Sequence, residues 1–113
     1  MTELVAHVRG LLEGLGQLRV SPMFGGHGLY SGGVFFGFLL GGVLYLKADD
    51  QSRPRFLAAH LKPFVWNKRP SRNYYRAPPE ALESPDAALE WAREALAAAL
   101  RSKSRPKKRK KKA

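Results

Sequence analysis

Proton transfer or metal binding at a histidine is the first chemistry that the sequence suggests. His27 lies within the string Gly25-Gly26-His27-Gly28, and imidazole is the side chain best suited to proton exchange or metal ligation near neutral pH. The nearest acidic candidates for a partner are Asp49 and Asp50, which follow the next apolar segments. The glycines can equally serve backbone geometry alone, with His27 as an ordinary loop residue. Both interpretations of His27 stay open.

Other patterns of catalytic and metal sites are absent from the sequence. It contains no G-x-S-x-G, Walker A or H-E-x-x-H pattern, and so lacks the spacing that those chemistries need. It also contains no cysteine, which excludes disulfides, thiolate nucleophiles and cysteine-bound metals. Asp49 and Asp50 could bind a cation, but capping of a following helix explains the pair more simply. We predict no catalytic residue, no metal site and no cofactor.

Cations alternate with aromatic residues between Trp66 and Arg76. Proteins that bind single strands use such residues to stack bases and to contact phosphates. The alternative is a hairpin whose rings enter a core while its cations lie in a solvated loop. The sequence therefore predicts Lys68, Arg69 and Arg72 as candidate nucleic-acid contacts.

The net charge of +11 is concentrated at the C-terminal end of the chain. Residues 101–113 hold nine basic and no acidic residues, whereas residues 1–100 hold eleven basic and nine acidic residues, a net charge of +2. We predict a folded domain over residues 1–100 and a disordered basic tail over residues 101–113. A flexible polycation binds polyanions without reading their sequence. The candidate contacts in this tail are Lys107, Lys108, Arg109, Lys110, Lys111 and Lys112.

Targeting and membrane-spanning segments are not apparent. Residues 1–12 include a Glu and a His among their apolar residues, unlike a secretory signal. The longest apolar run, residues 34–46, has thirteen residues and three glycines and is too short to span a bilayer. We expect a cytoplasmic protein with no membrane contact.

Helical periodicity occurs at both ends of the domain. Apolar residues at helical spacing predict a first helix over residues 2–15. A short helix is expected near residues 51–60, capped by Asp49 or Asp50. Ser84-Pro85-Asp86 is typical of a helix start. The apolar stripe of this last helix would consist of Leu89, Ala92, Leu96 and Leu100.

The middle of the chain predicts about five strands. Gly32-Gly33 and Gly41-Gly42 can form tight two-residue hairpin turns, because glycine accepts positive φ. The predicted strands are residues 29–31, 34–40, 43–48, 64–66 and 73–77. The fold class is therefore α+β, with an antiparallel sheet of about five strands flanked by N-terminal and C-terminal helices.

Two-residue turns also predict which residues share a face of the sheet. Tyr30 would lie opposite Phe35, and Gly28 would lie beside Gly37. One face would carry Leu29, Val34, Phe36, Phe38, Leu40, Val43 and Tyr45. The other would carry Tyr30, Phe35, Leu39, Leu44 and Leu46. Because both faces are apolar, we expect both to be covered.

Three ordered blocks of the sequence resemble the TfoX N-terminal domain family, the competence regulators also called Sxy. The first block is residues 20–30, which read VSPMFGGHGLY. The second contains Leu44-Tyr45-Leu46-Lys47, Asp49, Arg53-Pro54 and Phe56. The third contains Tyr74-Tyr75-Arg76, Pro78, Glu80-Ala81-Leu82 and Leu89-Glu90-Trp91-Ala92. The resemblance covers roughly residues 4–100.

The resemblance implies an α+β domain with no known enzymatic activity, from a family of bacterial regulators. Two-domain members activate DNA-uptake genes, working alongside the cyclic-AMP receptor protein. This sequence departs from that pattern, since it ends where the second domain would begin and carries a basic tail instead. The motif positions, which form a candidate partner surface, are Met23, Phe24, Gly25, Gly26, His27, Gly28, Tyr74, Tyr75 and Arg76.

These observations favour a non-enzymatic regulatory domain that binds a transcription protein, with nonspecific affinity for nucleic acid from the tail. Two alternatives remain. One is a small-ligand or catalytic pocket at the Gly25–Gly28 loop, with His27 and Arg76 as its polar groups. The other is a structural homodimer that covers the second apolar face of the sheet.

Overall fold

The computed structural model describes residues 2–104, which form one sheet with helices packed on it. The elements in chain order are α1 (Thr2–Leu11), a 3-10 turn (Glu13–Leu15), β1 (Leu18–Met23), β2 (Gly26–Ser31), β3 (Val34–Leu40), β4 (Val43–Lys47), α2 (Arg53–Ala58), β5 (Pro63–Trp66), β6 (Arg69–Arg76), a 3-10 turn (Pro79–Leu82) and α3 (Pro85–Ser104). The strand order is β1-β2-β3-β4-β6-β5, and every pair is antiparallel. The predicted α+β class is confirmed.

The sheet has six strands rather than about five, because β1 is an additional edge strand. Its residues Leu18 and Val20 are partly buried against the core, whereas Arg19 is exposed. This short alternation is interrupted by Pro22, which a central strand would exclude but an edge strand tolerates. The sequence pattern of β1 was therefore too short and irregular to predict a strand.

Four hairpins in the sheet close through two-residue turns. Both residues have positive φ at Phe24-Gly25, Gly32-Gly33, Gly41-Gly42 and Asn67-Lys68. Paired positive φ is the geometry that matches the right-handed twist of antiparallel strands. The two turns predicted from paired glycines are confirmed.

A bulge between β2 and β3 changes the predicted faces. Tyr30 pairs with Phe35 as expected, but Leu29 pairs with Gly37 and Gly28 pairs with Phe38. The predicted Gly28–Gly37 pair is therefore wrong, because Phe36 is an extra residue opposite the β2 strand. As a result Phe36 is fully buried in the core, on the face opposite to Phe38.

The three helices pack on one face of the sheet. The core between them contains Val8, Leu11, Leu12, Leu29, Phe36, Leu39, Leu44, Leu46, Phe56, Tyr75, Trp91, Ala92 and Ala95, among others. Within residues 2–104 no helix covers the other face, so the expectation that both faces are covered is met on one side only.

The two terminal helices differ from their predicted bounds. The first ends at Leu11 and a 3-10 turn follows to Leu15, in a stretch where three glycines weaken the helix. The last helix continues to Ser104, four residues past the predicted domain boundary at residue 100. Its buried face is built mainly of alanines and Trp91, which allow a close approach to the sheet, while Leu100 of the predicted stripe is exposed. Residues 105–113, with the predicted tail contacts, lie outside the described part of the chain.

Candidate binding surface on the open sheet face

Seven aromatic rings form one connected cluster on the sheet face opposite the helices, here called the aromatic face. Neighbouring rings have centroids between 5.0 and 6.4 Å apart. The members are Tyr30, Phe35, Phe38, Tyr45, Phe64, Trp66 and Tyr74. Strand alternation puts these rings on one side, and the bulge at Phe36 brings both Phe35 and Phe38 to it.

The β5–β6 hairpin turns the aromatic face into a groove. Phe64 lies 5.0 Å, centroid to centroid, from both Phe38 and Tyr45, although β5 is the edge strand and β3 is three places away. The sheet must therefore curve so that its edge folds back over its own centre. The resulting groove has a volume of about 750 Å³, and its lining is Phe24, Phe35, Phe38, Leu40, Phe64, Trp66, Asn67, Arg69, Pro70, Ser71 and Tyr74.

The groove has a buried floor and exposed ends. Phe38 is buried at the floor, whereas Phe24 is 75% exposed and Trp66 is 68% exposed. Single exposed apolar side chains are ordinary on a monomer, but exposed rings that line one continuous apolar groove are typical of a binding site. The geometry thus leaves two aromatic rings free to contact a ligand.

Cations lie against the aromatic face. The Arg19 guanidinium lies 4.3 Å from the ring centroid of Tyr30, and the Lys47 ammonium lies 5.1 Å from that of Tyr74. Arg69 lines the groove, and Arg76 pairs with Tyr45 across the strands. Burial lowers the pKa of Lys47, although Asp49 opposes that shift, and burial raises the pKa of the Tyr74 phenol.

Acidic residues are excluded from the sheet. None of the nine Asp and Glu residues of the chain lies in a strand, whereas the six strands carry five basic residues. The basic residues are Arg19, Lys47, Arg69, Arg72 and Arg76. The net charge of +2 over residues 1–100 is therefore divided between a positive sheet and the helices and loops, which hold every Asp and Glu.

The glycine-rich motif builds the β1–β2 hairpin rather than a loop pocket. Gly25 closes the turn, with φ of +77°. A Cβ at Gly28 would lie 2.8 Å from Cε of Met23 and 2.9 Å from the Phe35 ring, and one at Gly26 would overlap the Leu39 carbonyl oxygen. These glycines allow close packing beneath the aromatic face, so their role is structural.

His27 and Arg76 do not form one polar site. His27 pairs with Leu39 on the helical face, whereas Arg76 pairs with Tyr45 on the aromatic face. Within residues 2–104 the Nδ1 atom of His27 is buried without a hydrogen-bond partner. The predicted acidic partner Asp49 instead accepts hydrogen bonds from Arg101 and from the Gln51 and Ser52 amides. The expected capping of α2 by Asp49 is not confirmed, because Ser52 is the residue before α2 and no side chain caps the helix, while Asp49 accepts amides of the turn that precedes it. The ion pair between Asp49 and Arg101 was not predicted from the sequence.

The remaining predicted site residues divide between the two faces. Tyr74 belongs to the aromatic face, but Tyr75 is buried in the core and stacks on Phe56, so it cannot be part of a partner surface. Arg69 lines the groove, whereas Lys68 and Arg72 are exposed and do not line it. Phe35, Phe38 and Phe64 were missed as site residues, because only the bulge and the curvature bring them together.

Metal-binding clusters and membrane-spanning helices are both absent from the described part of the chain. Within residues 2–104, no three His, Asp or Glu side chains lie close enough together to hold a metal ion. Across the same residues, no helix is both long enough and apolar enough to cross a membrane.

The chain is similar to a known protein family. The family model described as "TfoX N-terminal domain" matches residues 10–99. No curated protein matches the sequence. The matched range includes all six strands and all of the aromatic face.

Proposed function

The chain belongs to the TfoX N-terminal domain family, and we propose that it acts by binding rather than by catalysis, as a regulatory domain of the competence type. In this proposal it contacts a transcription protein in the cytoplasm, and the basic residues after Ser104 add nonspecific affinity for DNA. The observation that best supports the protein contact is the position of Phe24 in the turn between β1 and β2.

Phe24 combines exposure with an unfavourable backbone conformation. It is 75% exposed and has a φ of +48°. A non-glycine residue costs about 1–2 kcal/mol in the left-handed region, and the best residues for such a turn are Asn and Gly. A bulky ring that is both strained and solvated does not stabilise the free domain. It is a suitable anchor for a protein partner, since aromatic residues supply most of the energy at interface centres.

The basic segment supports a separate, sequence-independent contact. Residues 105–113 hold seven basic residues and no acidic one, so their attraction to duplex phosphates follows from charge alone. If about five cations engage duplex phosphates, the slope of log K against log salt is near −4 to −5. This affinity would hold the domain near DNA while the hairpin tip engages its partner.

A capture experiment from nuclease-treated bacterial lysate tests the protein contact. The full chain is used as bait beside Phe24→Asn, with Leu57→Asn as the matched control. Leu57 is an exposed apolar residue of α2, far along the chain from the motif and on the helical layer.

The expected result is an identified transcription factor or RNA polymerase subunit bound by the full chain and by Leu57→Asn, and lost with Phe24→Asn. Capture of no transcription protein by any form would refute the proposal. Equal capture by all three forms would remove Phe24 as the contact.

A further inference from the structure

We propose that the aromatic face binds single-stranded nucleic acid, with bases stacked on Trp66 and neighbouring rings and phosphates held by cations of the strands. The proposed site does not depend on the basic segment after Ser104, and it shares Phe24 with the proposed protein contact. It rests on the shape, the exposed rings and the charge of the groove.

A site for single strands needs exposed aromatic rings on which bases can stack, and the groove has them. Trp66 is 68% exposed and Phe24 is 75% exposed, and both line the groove. Phe64 lies 6.4 Å from Trp66 with the two ring planes 25° apart, so a base on the free side of the indole would continue an existing stack. Every base has a flat face, and stacking on an aromatic side chain needs no particular sequence.

Such a site also needs cations that contact the phosphate backbone, and the strands supply them. Arg69 lines the groove, and Arg19, Lys47 and Arg76 lie on the same face by strand register. No acidic residue lies in any of the six strands. A phosphate backbone that crosses the strands on this face therefore meets cations and no carboxylate of a strand, the nearby acid being Asp49, which follows β4 and acts on Lys47.

The same charge argues against a second copy as the occupant. A symmetric dimer through this face would bring two sheets together, each with five cations and no acidic residue in its strands. Like charges opposed across an interface disfavour association. A single-stranded nucleic acid instead brings negative phosphates to these cations, and its bases supply apolar surface for the groove.

A duplex does not fit the proposal equally well. Its base faces are stacked inside the helix, so only base edges and phosphates are accessible and no base can stack on Trp66. Open antiparallel sheets with helices behind them and aromatic residues in front are one known solution for recognising single strands. The expected ligand is consequently a strand with unpaired bases, either DNA or RNA.

Quenching of Trp66 fluorescence provides the test. Trp91, the other indole, is buried beneath the Arg55 guanidinium, which lies 3.9 Å from its ring centroid. The full chain is titrated with oligothymidylate and oligouridylate of about ten nucleotides. An abasic oligomer of the same length and a duplex are the matched ligand controls.

A second form of the full chain removes charge from the C-terminal segment. It carries Lys107→Gln, Lys108→Gln, Arg109→Gln, Lys110→Gln, Lys111→Gln and Lys112→Gln. Because the rings and the groove of the aromatic face are built from residues 24–74, quenching by the two base-bearing oligomers is expected to persist in this form. The DNA and RNA oligomers together show which sugar is preferred.

Substitutions in the groove should separate stacking from charge. Trp66→Ala is expected to weaken binding roughly 5- to 150-fold, measured by anisotropy of a labelled oligomer. Trp66→Phe should keep most of the affinity but abolish the quench. Arg69→Gln should lower the salt slope for single strands by about 0.7, whereas Arg93→Gln on α3 should leave it unchanged.

Three results would overturn the proposal. One is equal affinity for the abasic oligomer, which would mean that bases do not contribute. Another is unchanged affinity of Trp66→Ala with its thermal transition preserved. The third is a dimer, seen by light scattering, that persists when oligonucleotide is in excess and blocks quenching, because a second copy would then cover the face.

Discussion

Arg101 donates two hydrogen bonds to the carboxylate of Asp49, at 2.6 Å from Nε and 2.9 Å from Nη2, and so links the end of α3 to the turn between β4 and α2. The Asp49 side chain is nearly buried, and it also accepts the amides of Gln51 and Ser52. The guanidinium and these hydrogen bonds hold the pKa of that carboxyl well below its usual range, although burial opposes the shift. The ion pair fixes the last turns of α3 on the sheet.

We expect Arg101→Ala to lower the free energy of unfolding by about 1–3 kcal/mol, because a nearly buried carboxylate loses its charged donor. Urea denaturation followed by circular dichroism measures the change. Lys103→Ala is the matched control, since Lys103 is exposed two residues later on the same helix, and its effect should stay within about 0.5 kcal/mol. Equal effects of the two substitutions would show that the ion pair adds nothing.

The same ion pair predicts a dependence of stability on pH. The pKa of Asp49 is lower in the folded chain than in the unfolded chain, so the unfolded chain binds the proton more readily. The stabilisation is therefore complete above about pH 5 and declines as pH falls through about 4 toward the folded-state pKa. The difference in unfolding free energy between the native chain and Arg101→Ala should narrow over that interval. A difference that stays constant down to about pH 2 would contradict this origin.

Gly37→Ala should destabilise the protein, whereas Gly10→Ala should stabilise it. A Cβ at Gly37 would lie 2.5 Å from the carbonyl oxygen of Tyr45, beside the bulge, and relief requires the strands to move apart. We expect a loss of about 1–3 kcal/mol. Gly10 lies in α1 with no atom within 4 Å of its added Cβ, so alanine should gain about 0.5–1 kcal/mol by helix propensity. Thermal melts of both variants test these predictions, since the melting temperature should fall for Gly37→Ala and rise for Gly10→Ala.

Phe24→Asn should raise stability while it removes the proposed partner contact. Asn tolerates positive φ and precedes Gly25, which makes the preferred pair for this turn. We expect a gain of about 0.5–1 kcal/mol in the free energy of unfolding. Lys68→Gly relieves a φ of +67° in the Asn67-Lys68 turn and should give a similar gain without loss of partner capture. A loss of stability in Phe24→Asn would mean that the ring packs within the free domain.

Local patterns were sufficient for the fold class and for several turns. Paired glycines predicted the turns at 32–33 and 41–42, because these tight turns need positive φ and glycine adopts it wherever it lies in the fold. The Ser84-Pro85-Asp86 start of α3 was also predictable from local sequence, because proline favours the first position of a helix. The faces of β3 were not, because a bulge shifts the alternation without any mark in a run of apolar residues.

The candidate site depended on contacts between residues far apart in the chain. Trp66, Arg69 and Tyr74 were recognisable as an aromatic and basic segment, but Phe35 and Phe38 looked like ordinary core residues. Their position on a second face follows from which strands pair and from how the edge hairpin curves over the sheet. Such long-range geometry is set by packing of the whole core and not by local propensity.

By itself the sequence determined that His27 lies in a glycine-rich motif, that no familiar catalytic pattern is present, and that the domain carries little net charge. Only the tertiary structure decided that His27 and Arg76 lie on opposite faces and that all carboxylates lie outside the sheet. The reason is that net charge is a sum over the chain, whereas binding depends on where each charge lies. Folding separates the charges of residues 1–100 into a basic aromatic face and a layer of helices and loops that holds every acid.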